Sequence, residues 1–154
     1  MQVLEMFRLR GKRALVTGGS SGIGKRVALA YAQAGAEVAI ISRHAQILSG
    51  VAQELTAATG TKIMAVPADV TQPAEVKEMV ETVVRELGGI DIAVCNAGIV
   101  SLHGLEEMSL EEFAGIQNTN VNGVFLTGTP GPARGIDGAL SLPGLRRLQL
   151  HDGE

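Results

Sequence analysis

Residues 14–24 read Ala-Leu-Val-Thr-Gly-Gly-Ser-Ser-Gly-Ile-Gly, an apolar run followed by a glycine-rich turn. This pattern predicts a buried strand, a tight turn and the first turn of a helix. The first N–H groups of such a helix have no partner within it and carry partial positive charge, so a phosphate or pyrophosphate can bind there. The alternative is a tight strand-to-helix turn that holds no ligand.

Part of this stretch also matches the beginning of a different phosphate-binding motif. Gly19 to Lys25 satisfies G-x-x-x-x-G-K, but the next residue is Arg26. In nucleoside-triphosphate-binding loops that next residue is a serine or threonine, whose hydroxyl holds Mg²⁺. The sequence therefore favours a dinucleotide over a nucleoside triphosphate.

The region from residue 13 to residue 100 alternates short β-branched runs with helical periodicity. This alternation is typical of an α/β fold, in which parallel strands are joined by crossover helices. Each predicted strand is nearly continuously apolar, as a strand covered on both faces requires. The four predicted strands are Ala14–Thr17, Glu37–Ser42, Lys62–Val66 and Asp91–Cys95.

Two helices between these strands have clear apolar stripes and end signals. The first begins at the Gly22-Ile23-Gly24 turn and ends at Gly35, and the second covers residues 73–87 and stops at Gly88-Gly89. The predicted stripe of the first helix is Ile23, Val27, Ala30, Tyr31 and Ala34. The predicted stripe of the second helix is Val76, Met79, Val80, Val83 and Leu87.

A further helix is predicted after the fourth strand, followed by a change of composition. Ser109 and Glu112 form a possible capping box for a helix that runs through Phe113, Ile116 and Val121. Residues 129–138 then read Thr-Pro-Gly-Pro-Ala-Arg-Gly-Ile-Asp-Gly, and residues 129–154 contain three of the five prolines. We therefore predict a dinucleotide-binding domain over residues 1–128 and an irregular tail over residues 129–154.

The composition allows one ordinary domain and argues against several functions. The chain has 154 residues and a net charge of −3, and this mildly acidic balance argues against nucleic-acid binding. The single cysteine excludes an intrachain disulfide. Residues 1–13 are charged and no 18-residue stretch is apolar, so we expect a cytoplasmic protein without a signal peptide or membrane span.

Four motifs in order resemble those of the classical short-chain dehydrogenase/reductase family. They are TGxxxGIG from Thr17 to Gly24, Ala68-Asp69-Val70-Thr71, Asn96-Ala97-Gly98-Ile99, and Asn120-Val121-Asn122-Gly123-Val124-Phe125. The resemblance covers roughly residues 8–127. It implies a Rossmann-like parallel sheet in the order 3-2-1-4, flanked by helices, with the C-terminal half of the family fold missing. The fourth strand is then an unpaired apolar edge.

The resemblance also implies which residues bind a dinucleotide. Asp69 and Val70 would contact the adenine, while Asn96, Ala97 and Gly98 would flank the ribose on the nicotinamide side. The residues that would hold the phosphates are Gly18, Ser20, Ser21, Gly22, Ile23 and Gly24.

The end of the second strand bears on the choice between NAD and NADP. A dinucleotide-binding unit selective for NAD uses an acidic residue there to bind the ribose 2′-hydroxyl. Here the sequence reads Ser42-Arg43, whose side chains can bind a 2′-phosphate. NADP is therefore favoured over NAD, the alternative being that Arg43 is simply a solvated residue at a strand end.

The family's catalytic residues are mostly absent from this sequence. Family members use a Tyr-x-x-x-Lys pair, a serine and an asparagine, of which only Asn120 is identifiable. The single tyrosine, Tyr31, lies on the first helix with Gly35 four residues on, and Ser141 lacks the strand context of the family's serine.

We therefore predict the NAD(P)-binding portion of an enzyme family that oxidises alcohols and reduces carbonyls with NADP(H), and we expect this chain to be inactive alone. Two alternatives stay open. One is a non-catalytic dinucleotide-binding or dimerising module that self-associates, or pairs with a full-length relative, through its exposed strand edge. The other is half of an enzyme completed by another chain.

The remaining reactive side chains favour structural roles. Cys95 is expected to be a small buried residue rather than a nucleophile. No metal site is predicted, because His44, His103 and His151 have no Cys or carboxylate at ligand spacing. The acidic cluster of Glu106, Glu107, Glu111 and Glu112 is interpreted as a solvated face near a helix start.

Overall fold

A computed structural model describes residues 7–104 and 106–128 of the chain, and its centre is a parallel sheet of four strands. The strands are β1 (Arg13–Thr17), β2 (Glu37–Ser42), β3 (Ile63–Pro67) and β4 (Ile92–Val94). The helices are α1 (Gly22–Gln33), α2 (Ala45–Thr59), α3 (Pro73–Leu87), α4 (Leu110–Gln117) and α5 (Gly123–Gly128), with a π-helical turn at Asn118–Asn122.

The strand order is β3-β2-β1-β4, and each neighbouring pair is parallel. The predicted order and fold class are thus confirmed. All four strands begin within one residue of their predicted start, but β4 is two residues shorter than predicted, covering three residues instead of five. Before β4, the Asp91 carboxylate binds Arg13 while the Asp91 N–H donates to the Arg13 carbonyl, and after it the Asn96 N–H bonds to the hydroxyl of Thr17.

Alternate side chains of the strands supply two cores on opposite faces of the sheet. Ala14 and Val16 of β1 pack with α1 and α2, whereas Leu15 packs with α3. Because successive residues of a strand point to opposite faces, a strand covered on both sides must be apolar throughout. This accounts for the continuous apolar runs from which the strands were predicted.

Helix α1 buries a different stripe from the one predicted. Its buried residues are Gly24, Ala28 and Ala32, whereas Ile23 is 73% exposed and Ala30 is exposed. Glycine and alanine let the helix lie close to the sheet, so the larger side chains are displaced to its flanks. The predicted stripe of α3 is correct, because its four β-branched or methionine members are buried and Leu87 packs against them.

The predicted third helix is interrupted, and its apolar face is not covered by the described residues. Ser109 caps α4 by accepting the N–H of Glu112, as predicted, but the helix changes to π geometry at Asn118. No residue of α4 is buried, and Phe113 and Val121 are exposed. On the unpaired edge strand β4, Ile92 and Val94 are half-buried, and Cys95, expected to be a buried residue, is also half-buried.

The predicted tail, residues 129–154, lies outside the described residues. The structure therefore does not describe the predicted domain boundary, nor Ser141 and His151. Of the helices described, none is both long enough and apolar enough to cross a membrane.

Candidate functional site

A groove of about 370 Å³ runs across the carboxyl ends of the strands. From β1 the chain adds β2 and β3 on one side of the sheet and then returns to add β4 on the other side. Such a reversal is a topological switch point, and open α/β sheets bind ligands at the carboxyl ends of the strands there. The residues that line it are Gly18, Ser20, Ser21, Gly22, Ile23, Ile41, Ser42, Arg43, His44, Ala68, Asp69, Val70, Asn96, Ala97, Gly98, Ile99 and Thr119. They include twelve of the thirteen residues predicted to bind a cofactor, the exception being Gly24.

The middle of the groove is the amino end of α1. The first hydrogen bond of the helix runs from the Lys25 N–H to the Ser21 carbonyl, so the N–H groups of residues 22–24 precede the helical ladder. The first turn has no acidic residue, and the Ser21 side chain makes no capping hydrogen bond. The positive end of the helix is therefore available to an anion. Lys25 instead binds Glu54 of α2 at 2.7 Å, which argues against the triphosphate-loop alternative.

Two glycines let the turn and the helix lie against the loop that follows β4. Gly18 has φ +67°, and a Cβ there would lie 2.8 Å from Nδ2 of Asn96. A Cβ on Gly24 would overlap the carbonyl oxygen of Gly18 and lie 2.5 Å from the same amide nitrogen. Gly24 therefore acts by close packing beneath the groove rather than by lining it.

Thr17 joins the carboxyl ends of β1 and β4. Its buried hydroxyl accepts the N–H groups of Asn96 and Ala97, each at 3.0 Å, and donates to the Val94 carbonyl at 3.3 Å. In return Nδ2 of Asn96 donates to the Thr17 carbonyl at 3.1 Å. The backbone around Asn96 is thereby fixed next to the glycine turn.

One end of the groove is formed by the turns after β2 and β3. The hydroxyl oxygen of Ser42 is buried and has no hydrogen-bond partner within the described chain. Arg43 is exposed beside it. Partial burial by itself would raise the pKa of Asp69, but hydrogen bonds from the N–H and hydroxyl of Thr71, at 2.9 and 2.8 Å, together with the Arg43 charge, hold that pKa below its ordinary value.

The other end of the groove is the loop after β4, which contacts the π-helical turn. Oδ1 of Asn120 accepts the Ile99 N–H and its Nδ2 donates to the Ile99 carbonyl, each at 2.9 Å. Asn120 itself does not line the groove, whereas its neighbour Thr119 does. A Cβ on Gly98 would lie 3.3 Å from Oδ1 of Asn120, so this glycine permits the approach.

The described residues place no tyrosine or lysine in the groove lining. Tyr31 is half-buried against the core on the α1 side of the sheet. Cys95 is half-buried, and burial raises the pKa of its thiol, which disfavours the nucleophilic thiolate. No group of three or more metal-ligating side chains occurs within residues 7–104 and 106–128.

Sequence reasoning missed several residues of this region. His44, Ile99 and Thr119 line the groove, and Thr17 supports it from below. Thr17 could have been found from its place before Gly18 in the TGxxxGIG pattern. No spacing rule indicates that Glu112 of the supposedly solvated acidic cluster accepts hydrogen bonds from Ser101 and His103.

Comparisons in sequence and structure agree on one family. The family model for short chain dehydrogenases matches residues 12–129. A glucose 1-dehydrogenase of Gluconobacter oxydans is 38% identical over 119 residues, which cover 77% of this chain and 45% of that protein.

Two solved structures share this arrangement of strands and helices. A short-chain type dehydrogenase/reductase of Mycobacterium marinum has a TM-score of 0.79 at 59% identity, over 82% of this chain and 51% of that one. The L-sorbose reductase of Gluconobacter frateurii, solved with NADPH and L-sorbose, has a TM-score of 0.74 at 32% identity, over 79% and 46% of the two chains. The chain spans about half the length of these relatives, and it belongs to the short-chain dehydrogenase/reductase family.

Proposed function

We propose that this chain is the NADP(H)-binding portion of a short-chain dehydrogenase/reductase whose reaction interconverts alcohols and carbonyls. The NADP(H) assignment rests on Ser42 and Arg43 at the end of β2. The buried hydroxyl of Ser42 lacks a partner in the described structure, and the exposed guanidinium of Arg43 lies beside it. A buried polar group without a partner is costly, and a phosphate oxygen would satisfy it.

The charges at this end of the groove support a 2′-phosphate rather than a free 2′-hydroxyl. A dinucleotide-binding unit that selects NAD places a carboxylate at the end of its second strand to accept the ribose hydroxyl. Among the described residues, the only carboxylate lining the groove is that of Asp69, which follows β3 and whose Oδ1 is already bonded to Thr71. Arg43 therefore favours a ligand that carries additional negative charge. The G. frateurii reductase, which was solved with NADPH, supports the same choice.

Other parts of the groove would hold the rest of the cofactor. The free N–H groups at the start of α1 would bind the pyrophosphate, Val70 would contact the adenine, and the backbone from Asn96 to Gly98 would flank the second ribose. When bound, the nicotinamide gives or takes the hydride in the family's reaction. The contribution of the described residues is binding and orientation.

We further propose that these 154 residues alone do not turn over an alcohol or carbonyl. Proton exchange with a substrate oxygen needs a positioned acid or base within hydrogen-bond reach. The only tyrosine of the sequence is Tyr31, which packs against the core and does not line the groove. Asn120 is the single residue matching the family's catalytic set, and its side chain is occupied by Ile99.

The test is a titration of the purified chain with NADPH and with NADH, followed by cofactor fluorescence and by the melting temperature. We expect saturable NADPH binding that raises the melting temperature, and we expect the affinity for NADH to be at least about tenfold lower than that for NADPH. Failure to bind either nucleotide would overturn the proposed function. Equal affinities would overturn the NADP preference, and oxidation of NADPH with any of a panel of aldehydes and ketones would overturn the proposed lack of turnover.

A second candidate function is that of half an enzyme, and it rests on an uncovered surface. Among the described strands β4 pairs only with β1, so its outer edge is open. In the loop that follows β4, Val100 and Leu102 are 81% and 97% exposed, and Phe113 is exposed on α4. Large exposed apolar patches and free strand edges mark protein contacts. We propose that this surface binds a polypeptide like the other half of the relatives, which adds a strand to β4.

This candidate is tested by mixing the chain with the second half of the M. marinum relative and measuring mass by light scattering after gel filtration. A one-to-one complex is expected, and Val100→Asp should weaken it. Ile47→Asp serves as the matched control, because Ile47 is an exposed residue of α2. This helix packs against β3, which lies at the opposite end of the sheet from β4. A dimer of this chain alone, or no association, would overturn the candidate.

A further inference from the structure

A polar cluster outside the groove connects the loop after β4 with the first turn of α4. The cluster consists of Ser101 and His103 on the loop and Glu112 on the helix. The Ser101 hydroxyl donates to Oε1 of Glu112 at 2.5 Å. Nδ1 of His103 lies 3.0 and 3.1 Å from the two carboxylate oxygens of the same side chain. We call these three residues the latch.

In the latch, the Glu112 carboxylate binds Ser101 and His103 instead of completing the capping box that the sequence suggested. In a reciprocal box, the side chain at Glu112 would return to the N–H of Ser109 while the Ser109 hydroxyl accepts the Glu112 N–H. Only the second of these bonds is present, at 3.1 Å. The carboxylate turns toward the loop instead. The His103 N–H also donates to the Ser101 hydroxyl at 3.0 Å, so the loop side of the latch is held together.

The groups around Glu112 determine its charge and leave it few side chains to bind. Hydrogen bonds from Ser101 and then from His103 hold the pKa of Glu112 below its ordinary value, so the carboxylate is ionised at neutral pH. The nearby charged groups are acidic: Glu111 beside it on α4, and Glu106 and Glu107 in the preceding turn. In the part of the chain that is described, His103 is the basic side chain within hydrogen-bond distance of the Glu112 carboxylate.

Helix α4 depends on such polar contacts because it buries no side chain of its own. The loop is held at two points, by Asn120 on Ile99 and by Glu112 on Ser101 and His103. The residues that line the groove, Asn96 to Ile99, lie directly before the second point. Movement at Ser101 would be transmitted to Ile99 through a single intervening residue.

We propose that Glu112 is a positioning residue for cofactor binding, which holds the loop of residues 98–104 in place for the nicotinamide end of the dinucleotide. This inference rests on the proposed function. Glu112 lines no part of the groove, so it acts through the loop. Loss of the latch lowers affinity for the whole dinucleotide and leaves the adenosine end, formed by Ser42, Arg43 and Val70, unchanged.

The experiment compares Glu112→Ala with Glu111→Ala, using NADPH and adenosine 2′,5′-bisphosphate as two probes. Both substitutions remove one negative charge from the first turn of α4, so they have the same effect on the helix dipole. We expect Glu112→Ala to weaken NADPH binding about tenfold and the bisphosphate less than about twofold, with Glu111→Ala near wild type for both. Glu112→Gln, which can still accept from Ser101, should recover part of the loss.

A second measurement on the ligand-free chain separates the inference from the proposed function. Amide hydrogen exchange at residues 99–104 should be faster in Glu112→Ala than in Glu111→Ala. Equal weakening of both probes, or no weakening of NADPH binding, would overturn the positioning role. If the wild-type chain binds neither probe, the proposed function fails, and unchanged exchange in Glu112→Ala would then overturn the latch as well.

Discussion

The side-chain amide of Asn120 bonds both backbone groups of Ile99, accepting its N–H and donating to its carbonyl, each at 2.9 Å. Asn120 lies in the π-helical turn between α4 and α5, and Ile99 lies in the wall of the groove. A π-helical turn contains one residue more than an α-helical turn, and such turns are frequent at functional sites. Here the turn brings an amide to the loop after β4.

Asn120→Ala should therefore loosen the groove wall. Both hydrogen bonds are lost, and because the site is exposed we expect a loss of about 1 kcal/mol in the free energy of unfolding and a several-fold weaker affinity for NADPH. The control is Asn118→Ala, in the same turn, because Asn118 accepts from Asn122 within the helix and does not reach the loop. Urea denaturation and NADPH titration of both variants provide the measurement, and equal effects would contradict the prediction.

Gly24→Ala should lower both stability and affinity. The added methyl group would overlap the Gly18 carbonyl oxygen, so α1 must move away from the glycine turn. Overpacking of this kind costs about 1–3 kcal/mol. The matched control is Gly50→Ala in α2, where a Cβ meets nothing within 4 Å and alanine has the better helix propensity. We expect the control to be neutral or slightly more stable in thermal unfolding, and a neutral Gly24→Ala would refute the packing argument.

The strands and helix α3 were predictable from sequence because their signals are local, whereas the strand order was predicted from the family resemblance. Continuous apolar runs indicate strands covered on both faces, and Pro73 with Gly88 sets the limits of α3, where Gly88 adopts φ +82°. The buried stripe of α1 was not predictable by counting large apolar residues. That helix lies close to the sheet through Gly24, Ala28 and Ala32, and hydrophobicity scales give such small residues little weight.

The groove residues were predictable because the family resemblance supplied their roles, and the motifs that contain them follow the carboxyl ends of parallel strands, which lie at one edge of the sheet. The latch was not predictable, because Glu112 is nine residues from His103 and eleven from Ser101, with an irregular loop between them. The π-helical turn was also missed. Apolar periodicity does not reveal one extra residue in a helix whose apolar side chains remain exposed.

Arg43→Asp should shift the nucleotide preference toward NADH. An aspartate at the end of β2 repels a 2′-phosphate and can accept a ribose 2′-hydroxyl. We expect NADPH affinity to fall by at least about tenfold while NADH affinity is unchanged or higher. Arg26→Asp is the control, because it makes the same charge change at an exposed position of α1 that does not line the groove. An unchanged ratio of the two affinities in Arg43→Asp would remove the argument for NADP.

The ion pair of Arg13 and Asp91 should make the stability of the fold depend on acid. Nε of Arg13 lies 2.8 Å from Oδ2 of Asp91, and the Arg13 N–H donates to the same oxygen at 2.8 Å. These bonds lower the pKa of Asp91 to about 2. They join the start of β1 to the residue before β4, the one strand that pairs with β1 on that side.

The direction of the pH effect follows from the lowered pKa. An aspartate in the unfolded chain has a pKa of about 3.9, so the stabilisation is complete above that value and is lost as the pH falls toward 2. Asp91→Asn should reduce the melting temperature by about 3–6 °C at pH 7, and the difference from wild type should shrink below pH 4. Glu81→Gln, which removes an exposed pair with Lys77 at 3.9 Å, should show almost no difference at either pH. Thermal unfolding of the three proteins between pH 7 and pH 3 tests this, and a constant Asp91→Asn difference across that range would mean that the ion pair does not stabilise the start of β4.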